Sequence, residues 1–326
     1  MLDITKLQFP YYPSDRKTLD KLLHTYLTHE KWDELFEFND NSQMITFKQT
    51  RDGIRYLWSF FNHIWPHIRC GKNNQTIKEL FDDKEALAEI LKDKTEVTQD
   101  ELRFLLKSSF KTQFVSNFRP TAAHAIYDIF LEDFNATVWD PCAGFGGRML
   151  GALKSDKVKT YIGNDPSTAA YIGLISCLQH IEEQDSKLGK NIHLLKATAE
   201  EVEHPLLKDN SIDLVFTSPP YFDLEKYSEE DTQSYLKYPS YDEWLSGFMK
   251  TLCEKAYRVL KPGRKFILNI NATPTNKSLH YDSLNVALDS GFKLIAVHKY
   301  NIFSRYNNTD RSKFEPVFEL EKPDLI

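Results

Sequence analysis

Glycine and cysteine are sparse in this 326-residue chain, at 12 and four residues. Cys70, Cys142, Cys177 and Cys253 lie far apart, with no Cys-x-x-Cys pair. That spacing gives no zinc signal and fits a reducing cytoplasm, with no metal expected. No apolar run approaches the roughly 20 residues that span a bilayer. Met1-Leu2-Asp3-Ile4 has no basic, signal-like start, so no membrane partner is expected. There is no internal repeat and no low-complexity tract. The net charge of −6 argues against a broadly basic, DNA-coating surface, although a local basic groove stays compatible with it.

What is present is apolar. Hydrophobic residues make up 41% and aromatics 13%, enough for a sizeable core in one large domain or one domain with an appendage. Residues 1 to about 110 read as mainly helical and lack strand alternation, which suggests a helical accessory domain at 1–112. Helices are expected at 19–38, 52–65, 84–92 and 99–110. In the second of these, Ile54, Leu57, Trp58, Phe61, Ile64 and Trp65 fall at helical spacing, and Pro66 ends the run. Between 41 and 80, Lys48, Arg51, Arg55, Arg69, Lys72 and Lys78 outnumber Asp52 and Glu79, with aromatics interleaved. This reads either as a nucleic-acid contact surface or as a solvated helix face over a core stripe.

From about residue 118 onward, short apolar runs alternate with helical stretches. Strands are expected at 136–139, 160–163, 191–195, 212–216 and 265–270, with a closing pair at 292–300 and 316–320. Helices are expected at 122–130, 148–154, 168–181, 241–260 and 281–288, and a turn at 261–264. This alternation predicts an α/β fold, a doubly wound and mostly parallel sheet over residues 113–326.

Two turns stand out. The first is Asp140-Pro141-Cys142-Ala143-Gly144-Phe145-Gly146-Gly147-Arg148, where the first strand gives way to a helix. Its three glycines allow a tight turn and close backbone approach, and a helix N-terminus follows. It is neither G-x-G-x-x-G nor a P-loop, so it reads as a ligand loop or as a plain structural turn. The second strand ends at Asp165-Pro166, about twenty residues on, where a carboxylate suits a ribose diol or caps a turn. Glu200 follows the third strand and reads as an adenine-edge contact or as an ordinary helix-start acid. The second turn is Thr217-Ser218-Pro219-Pro220-Tyr221, off the fourth strand. Two prolines stiffen it and leave its carbonyls free. The Ser218 hydroxyl and the carbonyls of Thr217 and Pro219 can converge on a flat amine-bearing group, with Tyr221 as a stacking face. The plainer alternative is a proline-rich cap on a strand.

Together these turns resemble the class I S-adenosylmethionine-dependent methyltransferases, most closely the DNA amino-methyltransferases that make N4-methylcytosine or N6-methyladenine. That family carries Asp-Pro-x-x-Gly-x-Gly as its cofactor loop and Ser/Asp/Asn-Pro-Pro-Tyr/Phe after strand four. Ser218 before the prolines looks more like the N4-cytosine group. The resemblance covers roughly residues 114–322, with the two motifs about 75 residues apart. It implies S-adenosylmethionine as cofactor, held by Phe118 and Arg119 of Ser116-Asn117-Phe118-Arg119-Pro120, by Asp140, Pro141, Cys142, Ala143, Gly144, Phe145 and Gly146, and by Asp165, Pro166, Glu200 and Thr217. It implies Ser218, Pro219, Pro220 and Tyr221 as the catalytic corner and Lys313-Phe314-Glu315-Pro316-Val317-Phe318 as the last strand. It further implies DNA with a flipped base as partner, in a nucleoid-associated enzyme of bacterial or phage origin.

Phe145-Gly146-Gly147-Arg148 departs from the family's usual Ser-Gly-Thr, and no long target-recognition segment follows or interrupts the motifs. The same turn chemistry also serves RNA and protein glutamine amides, and a non-enzymatic nucleic-acid-binding scaffold is a third reading. Residues 222–244 are polar and aromatic and read as a lid, a target-reading element or a surface loop.

Overall fold

The computed structural model describes residues 2–28, 32–39, 43–48, 50–70, 75–109, 115–184, 189–301 and 314–324. Lys72, Phe110, Lys313 and the expected 112/113 boundary lie outside them. The strands are β1 (Phe36–Phe38), β2 (Ile45–Phe47), β3 (Arg69–Cys70), β4 (Ala136–Asp140), β5 (Val158–Asp165), β6 (Asn191–Lys196), β7 (Ile212–Thr217), β8 (Glu225–Lys226), β9 (Leu260–Asn269), β10 (Lys293–Asn301) and β11 (Phe314–Glu321). Among the described residues, nine of them form one sheet in the order β1-β2-β10-β11-β9-β7-β4-β5-β6. Strands β6, β5, β4, β7 and β9 run parallel, and β11 runs antiparallel between β9 and β10. This is the mostly parallel, doubly wound α/β sheet that was expected.

The parallel part of the sheet starts at β4, winds outward through β5 and β6, and returns to β7 on the other side of β4. Val138 pairs with Leu214 and Trp139 with Val215 at this reversal. The carboxyl ends of β4 and β7 therefore sit side by side, and ligands of open α/β sheets bind at such reversals. Alternation along each strand divides the core. Val138, Leu214 and Phe216 face one apolar cluster; Trp139 and Val215 face the other.

The helices are α1 (Arg16–Leu27), α2 (Ile54–Ser59), α3 (Ile77–Asp82), α4 (Lys84–Ile90), α5 (Gln99–Ser109), α6 (Pro120–Phe130), α7 (Gly147–Lys154) and α8 (Thr168–Gln184). After β8 come α9 (Ser234–Lys237), α10 (Tyr241–Glu243), α11 (Lys250–Val259) and α12 (Leu279–Asp289). None of the described helices is long and apolar enough to cross a membrane.

Several expectations are corrected. The N-terminal region is not free of strands. The chain expected as helix 19–38 leaves the helix at Leu27, and Phe36–Phe38 forms β1. Strand β2 runs parallel to β10, with Thr46 opposite Lys299 and Phe47 opposite Tyr300. All three β2 residues are buried, so no alternation marks the strand. Its partner is distant in sequence, and the Ile45 N–H donates to His298 Nδ1 at 3.1 Å.

Helix α2 is only six residues long, and Trp65–His67 forms a separate 3₁₀ turn around Pro66. The expected turn at 261–264 belongs to β9, as a bulge with Gly263 at φ 74°. Within the expected helix 241–260, Trp244–Met249 winds as a π-helix between α10 and α11. One cluster continues from Leu19, Leu57, Phe61 and Leu106 to Ala122, Leu150 and Leu174, so the N-terminal helices bury their apolar faces on the sheet's own helices.

Candidate active site

The glycine turn is held open by left-handed backbone at Gly144 (φ 54°) and Gly146 (φ 75°). Gly147 admits no side chain, because a Cβ there would lie 1.9 Å from the Phe118 carbonyl oxygen. The 116–120 segment therefore packs directly on the loop. Asn117 Nδ2 fastens it by donating to the Phe145 carbonyl at 2.9 Å. Phe145, standing where the family has a hydroxyl residue, packs its ring on Trp58 (4.9 Å) and Phe61 (5.2 Å). The departure thus has a packing role: Phe145 anchors α2 and the turn after it to the loop.

Asp165 closes the loop from β5. Its Oδ2 accepts the Gly144 N–H and its Oδ1 accepts the Ser167 N–H, each at 3.0 Å. Burial pushes its carboxyl up to about 6. Asn164, which sequence reasoning missed, is fully buried beside it. Its carbonyl oxygen accepts the Trp139 indole N–H at 2.9 Å, and its Nδ2 donates to the Pro141 carbonyl at 2.9 Å and the Ala197 carbonyl at 3.2 Å. One amide thereby ties together the ends of β4, β5 and β6. Only burial marks it, and an isolated Asn carries no sequence signal.

A cleft of about 1420 Å³ runs along this rim. Phe118, Arg119, Pro141, Cys142, Ala143, Gly144, Phe145, Asp165, Pro166 and Glu200 line it, and so do Ser218, Pro219, Pro220 and Tyr221. The two turns of the sequence reading therefore share one hollow. The volume exceeds the roughly 300–1,000 Å³ of a single small-molecule site.

Asp140, Gly146 and Thr217 do not line the cleft. Asp140 is buried behind the loop, where its Oδ2 accepts Arg148 Nε at 2.9 Å and the Tyr161 hydroxyl at 2.7 Å. It works as a counter-charge for the buried Arg148, whose guanidinium also reaches the Cys142 carbonyl. Gly146 starts α7, and Thr217 is a fully buried strand end.

The segment after the Ser-Pro-Pro-Tyr corner is a strap. Strand β8 pairs with β3 in the N-terminal region. Glu230 caps α8 by accepting the Thr168 N–H at 3.0 Å. Glu200 Oε1 accepts Lys237 Nζ at 3.2 Å and the Tyr238 hydroxyl at 3.3 Å, while its Oε2 is buried without a protein partner. At the corner itself the Tyr221 hydroxyl donates to Glu315 Oε2 at 3.1 Å. Glu315 and Asn269 line the cleft and were not singled out as site residues from sequence.

The basic stretch resolves toward a solvated face. Lys48 pairs with Glu37 at 3.1 Å, Arg55 with Asp100 at 2.8 Å, Arg69 with Glu79 at 2.7 Å and Lys78 with Asp82 at 2.5 Å. Arg51 lines the cleft, and so do Arg55 and its partner Asp100. Cys70, Cys142, Cys177 and Cys253 are unbridged, and no metal-holding cluster occurs among the described residues.

Residues 212–321, from β7 to the end of β11, match the family model described as DNA methylase. The chain resembles the DNA amino-methyltransferases. A type II methyltransferase, M.MjaVI of Methanocaldococcus jannaschii, is 34% identical over 90 residues, which cover 27% of this chain and 43% of that protein. The match thus spans under half the length of this relative. TrmN from Thermus thermophilus aligns at 20% identity over 62% of this chain and 48% of its own, with a TM-score of 0.41. A methyltransferase from Pyrococcus furiosus aligns at 17% identity over 63% of this chain and 83% of its own, with a TM-score of 0.42.

Proposed function

We propose that the protein transfers a methyl group from S-adenosylmethionine to an exocyclic amino nitrogen of a DNA base, cytosine N4 ahead of adenine N6. The observation that carries this is the shared cleft: the glycine loop and the Ser218–Tyr221 corner open into one hollow.

The residues fit the cofactor. Asp165 offers a carboxylate beside the loop for a ribose diol, and Glu200 Oε2 is a buried acceptor without a partner, as an adenine amine requires. Phe118 is held against Gly147, where it covers the loop. When bound, the cofactor supplies an electrophilic methyl on a sulfonium.

The chain's own residues supply position. A base amine is a weak nucleophile, because its lone pair is conjugated into the ring. The Ser218 hydroxyl and the Pro219 carbonyl accept the amine hydrogens and favour a pyramidal nitrogen with a localised lone pair. Pro219 and Pro220 keep those acceptors rigid. Tyr221, held by Glu315, presents a ring face to a base extracted from its stack. Holding the amine in line with the methyl carbon contributes a large share of the rate. The identity of Ser218 favours cytosine through the resemblance of this motif to the N4 group.

Incubation with duplex DNA and labelled S-adenosylmethionine, followed by nucleoside digestion and mass spectrometry, tests the reading. N4-methylcytosine is expected, with Ser218→Ala lowering transfer by about 10² or more while calorimetric S-adenosylhomocysteine binding persists. Label found only on RNA or on protein amide overturns it.

A further inference from the structure

Strand β11 carries three glutamates at odd positions, Glu315, Glu319 and Glu321. Two are neutralised: Glu319 faces Lys265 at 3.4 Å and His298 at 3.1 Å, and Glu321 faces Lys265 at 2.5 Å. Glu315 is the exception. It lines the cleft, and no Lys, Arg or His among the described residues forms an ion pair with it. Its hydrogen-bond partners are the Tyr221 hydroxyl, at 3.1 Å, and the Asn269 side-chain amide.

Strand register brings it there. Thr217 pairs with Leu268 on β9, and Asn269, the next residue, pairs with Val317 on β11. Because β11 runs antiparallel, Glu315 extends two residues beyond that pairing, in the direction in which the chain leaves β7 for Ser218. Asn269 Nδ2 braces the start of β11 by donating to the Pro316 carbonyl at 3.0 Å. Ser218, Asn269 and Glu315 are thus neighbours along one rim of the cleft.

We propose that Glu315 is a further catalytic residue: its carboxylate takes the proton released when an amino nitrogen is methylated in this cleft. The inference rests on the methyl-transfer reading above. The nitrogen lone pair forms the N–C bond, and the C–S electron pair goes to sulfur. One N–H proton of the resulting cationic amine passes to Glu315 and from there to water. The Ser218 hydroxyl, Pro219 carbonyl, Tyr221 hydroxyl and Asn269 amide are neutral and cannot keep that proton. Asp165 and Glu200 line the same cleft but stand on the far side of β4, where β5 and β6 end; Asp52 and Asp100, which also line it, come from the N-terminal region, where Asp100 is paired with Arg55. The other groups around Glu315 are Tyr300, its cross-strand partner on β10, and Arg119, whose backbone N–H donates to the Tyr300 hydroxyl at 3.2 Å. Burial raises the Glu315 carboxyl from its ordinary value, which makes its ionised form a better proton acceptor.

The test combines single-turnover methyl transfer to duplex DNA from pH 4.5 to 8 with ¹³C NMR titration of the Glu315 carboxyl in the cofactor-free protein. In the wild type the rate should rise with pH along a limb that coincides with the NMR titration, above the ordinary glutamate value of about 4.3. Glu315→Gln should remove that limb and lower the plateau by about 10², with partial rescue by Glu315→Asp. Calorimetric affinity for S-adenosylhomocysteine should stay within about twofold, since the residue serves the acceptor side. A Glu315→Gln plateau near the wild-type rate, or a limb that survives the substitution, overturns the proposal. Wild-type protein that binds S-adenosylhomocysteine but methylates no amino nitrogen overturns the underlying reading, and this proposal with it.

Discussion

The carboxylate of Asp165 accepts the backbone N–H of Gly144 at 3.0 Å, so the end of one strand grips the loop that follows its neighbour. The carboxyl is held up to about 6 by burial, against an ordinary value of 3.8. Its stabilising contribution is therefore fully present below about pH 3.8 and is lost as pH rises through about 6. Binding should run the other way, since a diol needs the ionised form as a two-oxygen acceptor. Affinity for S-adenosylhomocysteine, followed by calorimetry, should fall by up to about tenfold per pH unit below pH 6. In Asp165→Asn it should be weak and independent of pH over that range.

Gly147→Ala should disrupt the loop by steric clash alone. The added methyl would meet the backbone oxygen of Phe118 at 1.9 Å, and a backbone cannot rotate away as a side chain can. Overpacking of this kind costs about 1–3 kcal/mol. Thermal unfolding should show a lower Tm, and S-adenosylhomocysteine binding should weaken by at least tenfold. A variant with unchanged affinity would mean that the contact between Phe118 and the loop does not shape the cofactor cradle.

Glu230→Ala should unlatch the strap. The carboxylate caps the N-terminus of α8 through the Thr168 N–H, a contact that typically contributes about 1 kcal/mol. Hydrogen exchange should quicken across residues 226–238 and at the first turn of α8, and S-adenosylhomocysteine should dissociate faster. Exchange confined to the helix end would show that the strap is held elsewhere, by Lys237 on Glu200.

Leu57→Ala tests whether residues 1–112 stand as a unit of their own. Leu57 is fully buried in the cluster that continues to Leu150 and Leu174. Truncating such a side chain costs about 2–5 kcal/mol. A single transition shifted to lower temperature, monitored by circular dichroism with and without S-adenosylhomocysteine, is expected. Two separate transitions would establish an independent accessory domain.

Much of this was legible because it is local. Strand–helix alternation, the glycines that permit φ 54° and 75° at Gly144 and Gly146, and the stiff Ser218–Tyr221 corner are each contained in a few consecutive residues. Hydrophobic period and backbone permission are properties of a short window, so they can be read there. The chain order of the two turns was equally visible, and the winding of an open sheet then puts them at one reversal.

The rest depended on pairings that no short window contains. Ile45–Phe47 is a strand because β10 accepts it, and its three buried residues show no alternation. Asp140 looked like a ligand contact, but Arg148 and Tyr161 hold it behind the loop. Asn164, Asn269 and Glu315 acquire their places only when β4–β6 and β7–β11 line up in register. Sequence by itself determined which turns this protein can make and in what order. Tertiary structure decided which polar side chains those turns bring together, because burial and charge pairing are set by neighbours across the sheet.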